Sequence, residues 1–169
     1  MSQSLASTFA DALDGLGVTV TRTTVDGFIE ALAAAITAPA VGTPLPFDGV
    51  SLDDADVTVP PTPTELETAK TGVTPVFGGI AAYGSVVVES RPAGDELVAL
   101  YPERHVAVLR ESDLVSGVDD ATDDLRDRFE AGRDSAVLAS GVSATADMGA
   151  TVEGVHGPRE VHVLLLTDR

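Results

Sequence analysis

Leu5, Phe9, Leu13 and Leu16 recur at helical spacing and Gly15 and Gly17 close the run, so an amphipathic helix is expected over residues 2–16. Residues 18–21, Val-Thr-Val-Thr, alternate as a short strand does. Thr24 or Asp26 can cap a second helix, whose buried face is Phe28, Ile29, Leu32 and Ile36 and whose end is Pro39. Helix, strand, helix is the opening of an α/β layer structure. From 40 to 63 the pattern breaks: six prolines between Pro39 and Pro63 and the acids Asp53, Asp54 and Asp56 punctuate it. Loops around two short strands, near 40–41 and 57–59, are expected there. Thr62 or Thr64 followed by acids starts a helix over 64–70.

Beyond residue 70 apolar runs dominate. Val86-Val87-Val88 reads as a buried strand, preceded by glycines that let backbone pass close to a neighbour. A strand covers 105–110, a helical turn begins at Ser112-Asp113, and a charged helix spans 119–132 with Leu125 and Phe129 on one face. Residues 135–140 and 161–166 are apolar enough to be central strands. Strands alternating with helices predict a largely parallel sheet covered on both faces, in one domain over residues 1–169.

Composition narrows the function classes. The 169-residue chain can bury a real core. It has no apolar stretch near the ~18 residues of a membrane helix, and no basic start of a secretory signal. The expectation is a soluble, cytoplasmic protein. Without cysteine it offers no disulfide and no thiolate ligands for an iron–sulfur cluster, and with three histidines in no zinc-binding spacing a metal site is not expected. The net charge is -17, with Lys70 the only lysine. Acids spread along the chain fit a salt-rich cytoplasm, where a Debye length of about 3 Å screens self-repulsion; the rival reading is a surface for cations or basic partners. Neither suits a phosphate-binding surface, so nucleic-acid binding is not expected.

Two polar segments carry the candidate chemistry. Ser143, Thr145 and Asp147 alternate after the strand at 135–140, so in extended backbone they point one way and can hydrogen-bond a ligand; in a turn they satisfy their own backbone. Val155-His156-Gly157-Pro158-Arg159 holds an imidazole near a guanidinium. His156 can move a proton and Arg159 can clamp a carboxylate or phosphate; the alternative is a structural turn. Gly78-Gly79 and Gly84-Ser85 can cradle an anion with backbone amides, though the order loop-then-strand matches no nucleotide-binding fingerprint. His105 and His162 read as packed strand residues, and the acids at 119–120 and 123–124 as a solvated helix face.

Five stretches together resemble the lactate-utilization protein C family, the LUD-domain proteins. They are Gly72-Val-Thr74, Ile80-Ala81 with Gly84 before the valine strand, Leu100-Tyr-Pro-Glu-Arg-His-Val-Ala-Val-Leu109, Ser143-Ala-Thr-Ala-Asp147 and Gly154-Val-His-Gly-Pro158. The resemblance covers roughly the last hundred residues. It implies a three-layer α/β/α sandwich similar to ribose-phosphate isomerase, glucosamine-phosphate deaminase and CoA transferases. It also implies a non-redox component of a system that oxidises L-lactate to pyruvate with iron–sulfur partner proteins. This chain would hold no cofactor of its own, and iron–sulfur clusters would sit in the partners. Asp147 and His156 would be catalytic. Gly78, Gly79, Gly84, Ser85, Ser143, Thr145 and Arg159 would bind a small carboxylate or phosphate; homo-oligomers are compatible. The alternatives are a stand-alone enzyme for sugar phosphates or CoA esters, and a ligand-sensing domain without catalysis. Phe77, Ala82 and Gly149 stand where relatives often carry an acid, so chemistry resting on those acids would be absent or moved.

Overall fold

The computed structural model describes residues 4–147, 150–154 and 156–169, with the backbone alone at 145–147, 150, 152 and 153. In chain order the helices are α1 (Leu5–Gly15), α2 (Phe28–Ala35), α3 (Pro63–Thr68), α4 (Asp95–Leu100) and α5 (Val118–Glu130). The strands are β1 (Thr19–Thr23), β2 (Ala40–Gly42), β3 (Thr71–Pro75), β4 (Gly79–Ile80), β5 (Ser85–Glu89), β6 (Arg104–Arg110), β7 (Leu114–Val115), β8 (Ala136–Ser140), β9 (Ala144–Asp147), β10 (Ala150–Glu153) and β11 (Glu160–Leu166).

The central sheet has the order β1-β11-β6-β3-β2, and each pair in it is parallel. Both its faces are covered, which explains the unbroken apolar runs of β6 and β11. Val106 and Val108 with Leu164 and Leu166 pack against Phe28, Leu32 and Ala35 of α2 and against Phe47, Val50 and Leu52 of the following loop. Ala107 and Leu109 with Val163 and Leu165 face the other way, onto Ala6, Phe9 and Leu13 of α1 and onto Val86 and Val88 of β5. At roughly 25 cal/mol per Å² of apolar surface, two such faces supply the main driving force for folding.

The fold is a mixed α/β one with a mostly parallel central sheet and helices, but the third layer is partly a second sheet, β7-β4-β5-β8. Here β4–β5 and β5–β8 are antiparallel and β4–β7 is parallel. The reversal between β4 and β5 turns at Gly84, where φ is +61° and a Cβ would stand 3.1 Å from the α1 backbone at Ala12. Residues 135–140, expected in the centre of a sheet, form the terminal strand of this second sheet instead, and Leu138 is 46% exposed. A short apolar strand reads alike in either setting, because periodicity does not report its neighbours.

The helices follow their local signals unevenly. α3 starts with a capping box: Glu65 N–H donates to Thr62 Oγ1 at 3.3 Å, and Thr62 N–H donates to Glu65 Oε2 at 2.7 Å. That accepting role lowers the Glu65 pKa. α4 lies directly on β3, where a Cβ at Gly72 would stand 1.9 Å from the Val98 carbonyl oxygen. On α5 the buried residue is Ala121, whereas Phe129 of the expected apolar face is 45% exposed. Among the described residues, no helix is long and apolar enough to cross a membrane.

Candidate functional site

A pocket of about 280 Å³ opens between the central sheet and the second one. Its walls come from four directions. Val161 and Val163 of β11 and His105 of β6 form one side, and Val86 and Val88 of β5 with Ala139 and Ser140 of β8 form the other. Leu13 of α1 and Leu100 of α4 close it laterally, and Gly84, residues 141–144 and His156-Gly157-Pro158 complete the rim. It sits by the amino ends of β6 and β11, where His105 and Val161 are paired in register. Open parallel sheets more often place ligands at the carboxyl ends.

The rim is built around Ser143. Its amide donates to the Pro158 carbonyl at 2.8 Å, its carbonyl accepts from Gly154 N–H at 2.8 Å, and its Oγ accepts from His156 N–H at 3.2 Å. Ser143 therefore ties Gly154, His156 and Pro158 to the chain that follows β8. His156 is exposed at the rim. His105, by contrast, is 2% exposed and shares a hydrogen bond of 2.9 Å between Nε2 and Thr74 Oγ1. Burial pushes its pKa down to about 4, so near neutral pH the ring is uncharged and can donate or accept a hydrogen bond.

The structure brings three of the expected residues to this pocket, Gly84, Ser143 and His156. The side chains of Thr145 and Asp147, like Gly149, lie outside the described residues. The others have different surroundings. Arg159, expected to clamp a carboxylate beside His156, is exposed and lines an adjoining groove with Thr19, Arg104 and Glu160, next to the pocket at Val142 and Val161. The cause is local. Gly154 has φ +73°, and its missing Cβ, whose position is 2.2 Å from Arg159 Cγ, leaves room for the arginine to lie across it. Gly78 and Gly79 lie outside this pocket, and a Cβ on Gly79 would meet Leu114 at 2.6 Å and Leu109 at 2.9 Å, so Gly79 serves close packing. Ser85 is buried, and its Oγ shares a 2.5 Å hydrogen bond with Ser140 Oγ, tying β5 to β8.

Sequence reasoning passed over His105 as a functional candidate. The signal that could have found it is parity: on β6 it shares the inner face with Ala107 and Leu109. It also passed over the opposite end of the sheet. There Phe77, just beyond β3, lies between two guanidinium groups, Arg91 at 5.1 Å and Arg128 at 5.2 Å from the ring centre. Arg110 lies 5.3 Å from the Phe47 ring, itself 6.5 Å from Phe77. Each arginine is paired, Arg91 with Asp95, Arg110 with Asp113 at 2.7 Å, and Arg128 with the buried Glu89 at 2.8 Å. With their charges neutralised and their faces stacked, these groups cap the carboxyl end of the sheet. His162 is hydrogen-bonded to Thr21 of β1 at 2.8 Å, as a packed strand residue is. Burial and the nearby Arg104 lower its pKa.

The family model described as the LUD domain matches residues 61–166, a span that contains every strand from β3 to β11. The chain belongs to the LUD-domain family. Among curated relatives, the Lactate utilization protein C of Deinococcus radiodurans is 31% identical over 127 residues, covering 74% of this chain and 59% of that protein. The Uncharacterized protein YkgG of Escherichia coli K12 is 32% identical over 109 residues, covering 62% of this chain and 47% of that one. The match thus spans about half to three-fifths of the length of these curated relatives. A crystal structure of a DUF162 family protein from Deinococcus radiodurans shares the fold of this LUD-domain chain, with a TM-score of 0.73 at 22% identity over 96% of each chain.

Proposed function

We propose that this LUD-domain protein is a non-redox component of a lactate-utilization system, and that the pocket between its two sheets is its working site. The observation that carries the reading is convergence. Gly84, Ser143 and His156-Gly157-Pro158 come from three separate segments of the family-matched region and share one pocket. The likeness to Lactate utilization protein C supplies the metabolic setting. With no cysteine in the chain, thiolate-bound iron–sulfur clusters belong to partner proteins, which would take the two electrons released when L-lactate becomes pyruvate. In this reading the chain takes no part in the electron transfer itself. His105 supplies an uncharged hydrogen-bonding ring inside the pocket, and Ser143 holds the turn that presents His156 at its rim. A stand-alone sugar-phosphate enzyme is less well supported, because no arginine, lysine or carboxylate lines the pocket among the described residues.

The test has two parts, both in the source organism and in molar KCl where extracts are handled. A deletion strain is complemented with the wild-type gene or with His156→Ala, and growth on lactate is followed with the protein level checked by immunoblot. Tagged wild-type protein is also purified from lactate-grown cells. Restored growth from the wild type alone, with cysteine-rich iron–sulfur proteins recovered in the pull-down, is the expected result. Equal growth of both complemented strains with no such proteins recovered would sink the proposal.

A further inference from the structure

We infer that the pocket between the sheets is selective for an uncharged carbonyl compound (an amide, ester or ketone) with an apolar body longer than three carbons, and against free carboxylates and phosphates. The inference rests on the reading above that this pocket is the working site.

Three features of the lining lead there. The first is size. About 280 Å³ is room for roughly nine water molecules at the ~30 Å³ each takes up in the liquid, well beyond what a three-carbon hydroxy acid fills. The second is the wall. Leu13, Val86, Val88, Leu100, Val161 and Val163 make a continuous apolar sleeve, which rewards an apolar body and offers a charged one nothing. The third is the polar inventory. The side chains able to hydrogen-bond are His105, Ser140, Ser143 and His156; among the described residues the lining has no lysine, arginine, aspartate or glutamate. Arg159, the nearest sequence candidate for an anion clamp, lines an adjoining groove that shares Val142 and Val161 with the pocket, and not the pocket itself.

His105 sharpens the assignment. The ring is 2% exposed yet lines the pocket, and its Nε2 is engaged with Thr74. Thr74 Oγ1 is the ring's hydrogen-bonding partner among the described residues. A carbonyl or amide group entering the pocket meets hydroxyl and imidazole groups at little desolvation cost. A carboxylate taken to the same depth would lose its water with no cation to replace it. The net charge of -17 adds a long-range bias against anions.

The test compares heads on a fixed body and bodies on a fixed head. Hexanamide, hexanoate, lactamide and lactate are titrated into the purified full chain at pH 8 in 1 M KCl, with binding followed by backbone amide shifts in two-dimensional NMR. At that salt the Debye length is about 3 Å, so the comparison reads the pocket and not the overall field. Hexanamide is expected to bind at least ten-fold more tightly than hexanoate, and more tightly than lactamide. The shifts should centre on Gly84, Ala139, His105 and Ser143, and the pocket-filling variant Ala139→Leu should weaken them. Should that variant fail to fold, the wild-type shift map still decides. Hexanoate binding as tightly as hexanamide, with shifts on those residues, overturns the ligand class and leaves the pocket as the working site. Shifts elsewhere, or no binding of any probe, overturn both this inference and the assignment of the site.

Discussion

The buried His105 sets a pH dependence whose sign and size follow from the structure. In the unfolded chain the imidazole titrates at its ordinary value of 6.5, and in the folded protein at about 4. Below the lower value both states carry the proton. Between the two, the unfolded state binds a proton that the native state does not, so stability falls as pH drops through this window and is fully present above 6.5. The whole gap corresponds to about 3 kcal/mol at ~1.4 kcal/mol per pH unit, of which about 2 kcal/mol is lost by pH 5. Many carboxylates also begin to titrate there, so the effect is read as a difference. His105→Gln keeps a group that can reach Thr74 and has no proton to gain. Urea unfolding of both proteins at pH 8, 7, 6 and 5 in 1 M KCl yields two stability curves. The stability advantage of wild type over variant, whatever its value at pH 8, should shrink by about 2 kcal/mol at pH 5. A difference that stays constant across the series would show that His105 titrates alike in both states, and the burial argument would fail.

Other perturbations follow from single contacts. Gly72→Ala puts a methyl 1.9 Å from the Val98 carbonyl oxygen, so α4 must withdraw. A loss of about 1–3 kcal/mol in unfolding free energy is expected, seen as a lower urea midpoint, and an unchanged midpoint would contradict the packing. Arg128→Leu leaves the carboxylate of Glu89, whose side chain is 2% exposed, facing only Arg133 at 3.4 Å. Because Arg128 is itself 30% exposed, the cost is expected at about 1–3 kcal/mol. The double variant with Glu89→Leu should be more stable than the sum of the single losses predicts, as a double-mutant cycle reads directly. Raising KCl from 0.1 to 1 M should raise the melting temperature, since screening shortens the Debye length from about 10 to 3 Å in a chain of net charge -17; a falling melting temperature would argue against self-repulsion as the destabilising force.

The parts of the fold legible in the sequence are those whose signal is local. The two-faced burial of β6 and β11 shows as unbroken apolar runs, α1 as a spaced apolar face, and the start of α3 as the Thr62 capping signal. The second sheet was not legible, because its existence turns on how the chain reverses at Gly84 and on which strands then meet. The site was legible to a similar degree. Gly84, Ser143 and residues 156–158, which define backbone paths, line one pocket. Where a long side chain goes is a different matter. The direction of Arg159 is decided by the space over Gly154, and that of Arg128 on α5 by a carboxylate 39 positions away on β5.

In the proposed reading the two ends of the central sheet exchange their usual duties, and the reason is traced to Phe77. Open parallel sheets tend to bind ligands beyond the carboxyl ends of their strands, where polar loops gather. Here that end carries an aromatic pair with Arg91, Arg110 and Arg128 stacked on it, each arginine matched to its own carboxylate. The phenylalanine at 77 offers flat faces, and the guanidinium groups of Arg91 and Arg128 stack on the ring. Binding an anion at Arg91 would mean leaving the buried Asp95 without its arginine, and binding one at Arg128 would leave the buried Glu89 with Arg133 alone at 3.4 Å. The pocket at the other end has no such pairs to break. Its walls are apolar, its hydrogen-bonding side chains are free of bound countercharge, and Ser143 has already fixed its rim before any ligand arrives. Substituting Phe77 by Glu would test this division. The new carboxylate would compete for Arg91 and Arg128, lowering stability while leaving amide binding between the sheets unchanged within two-fold. A loss of that binding in a protein that remains folded would mean that the two ends work as one site.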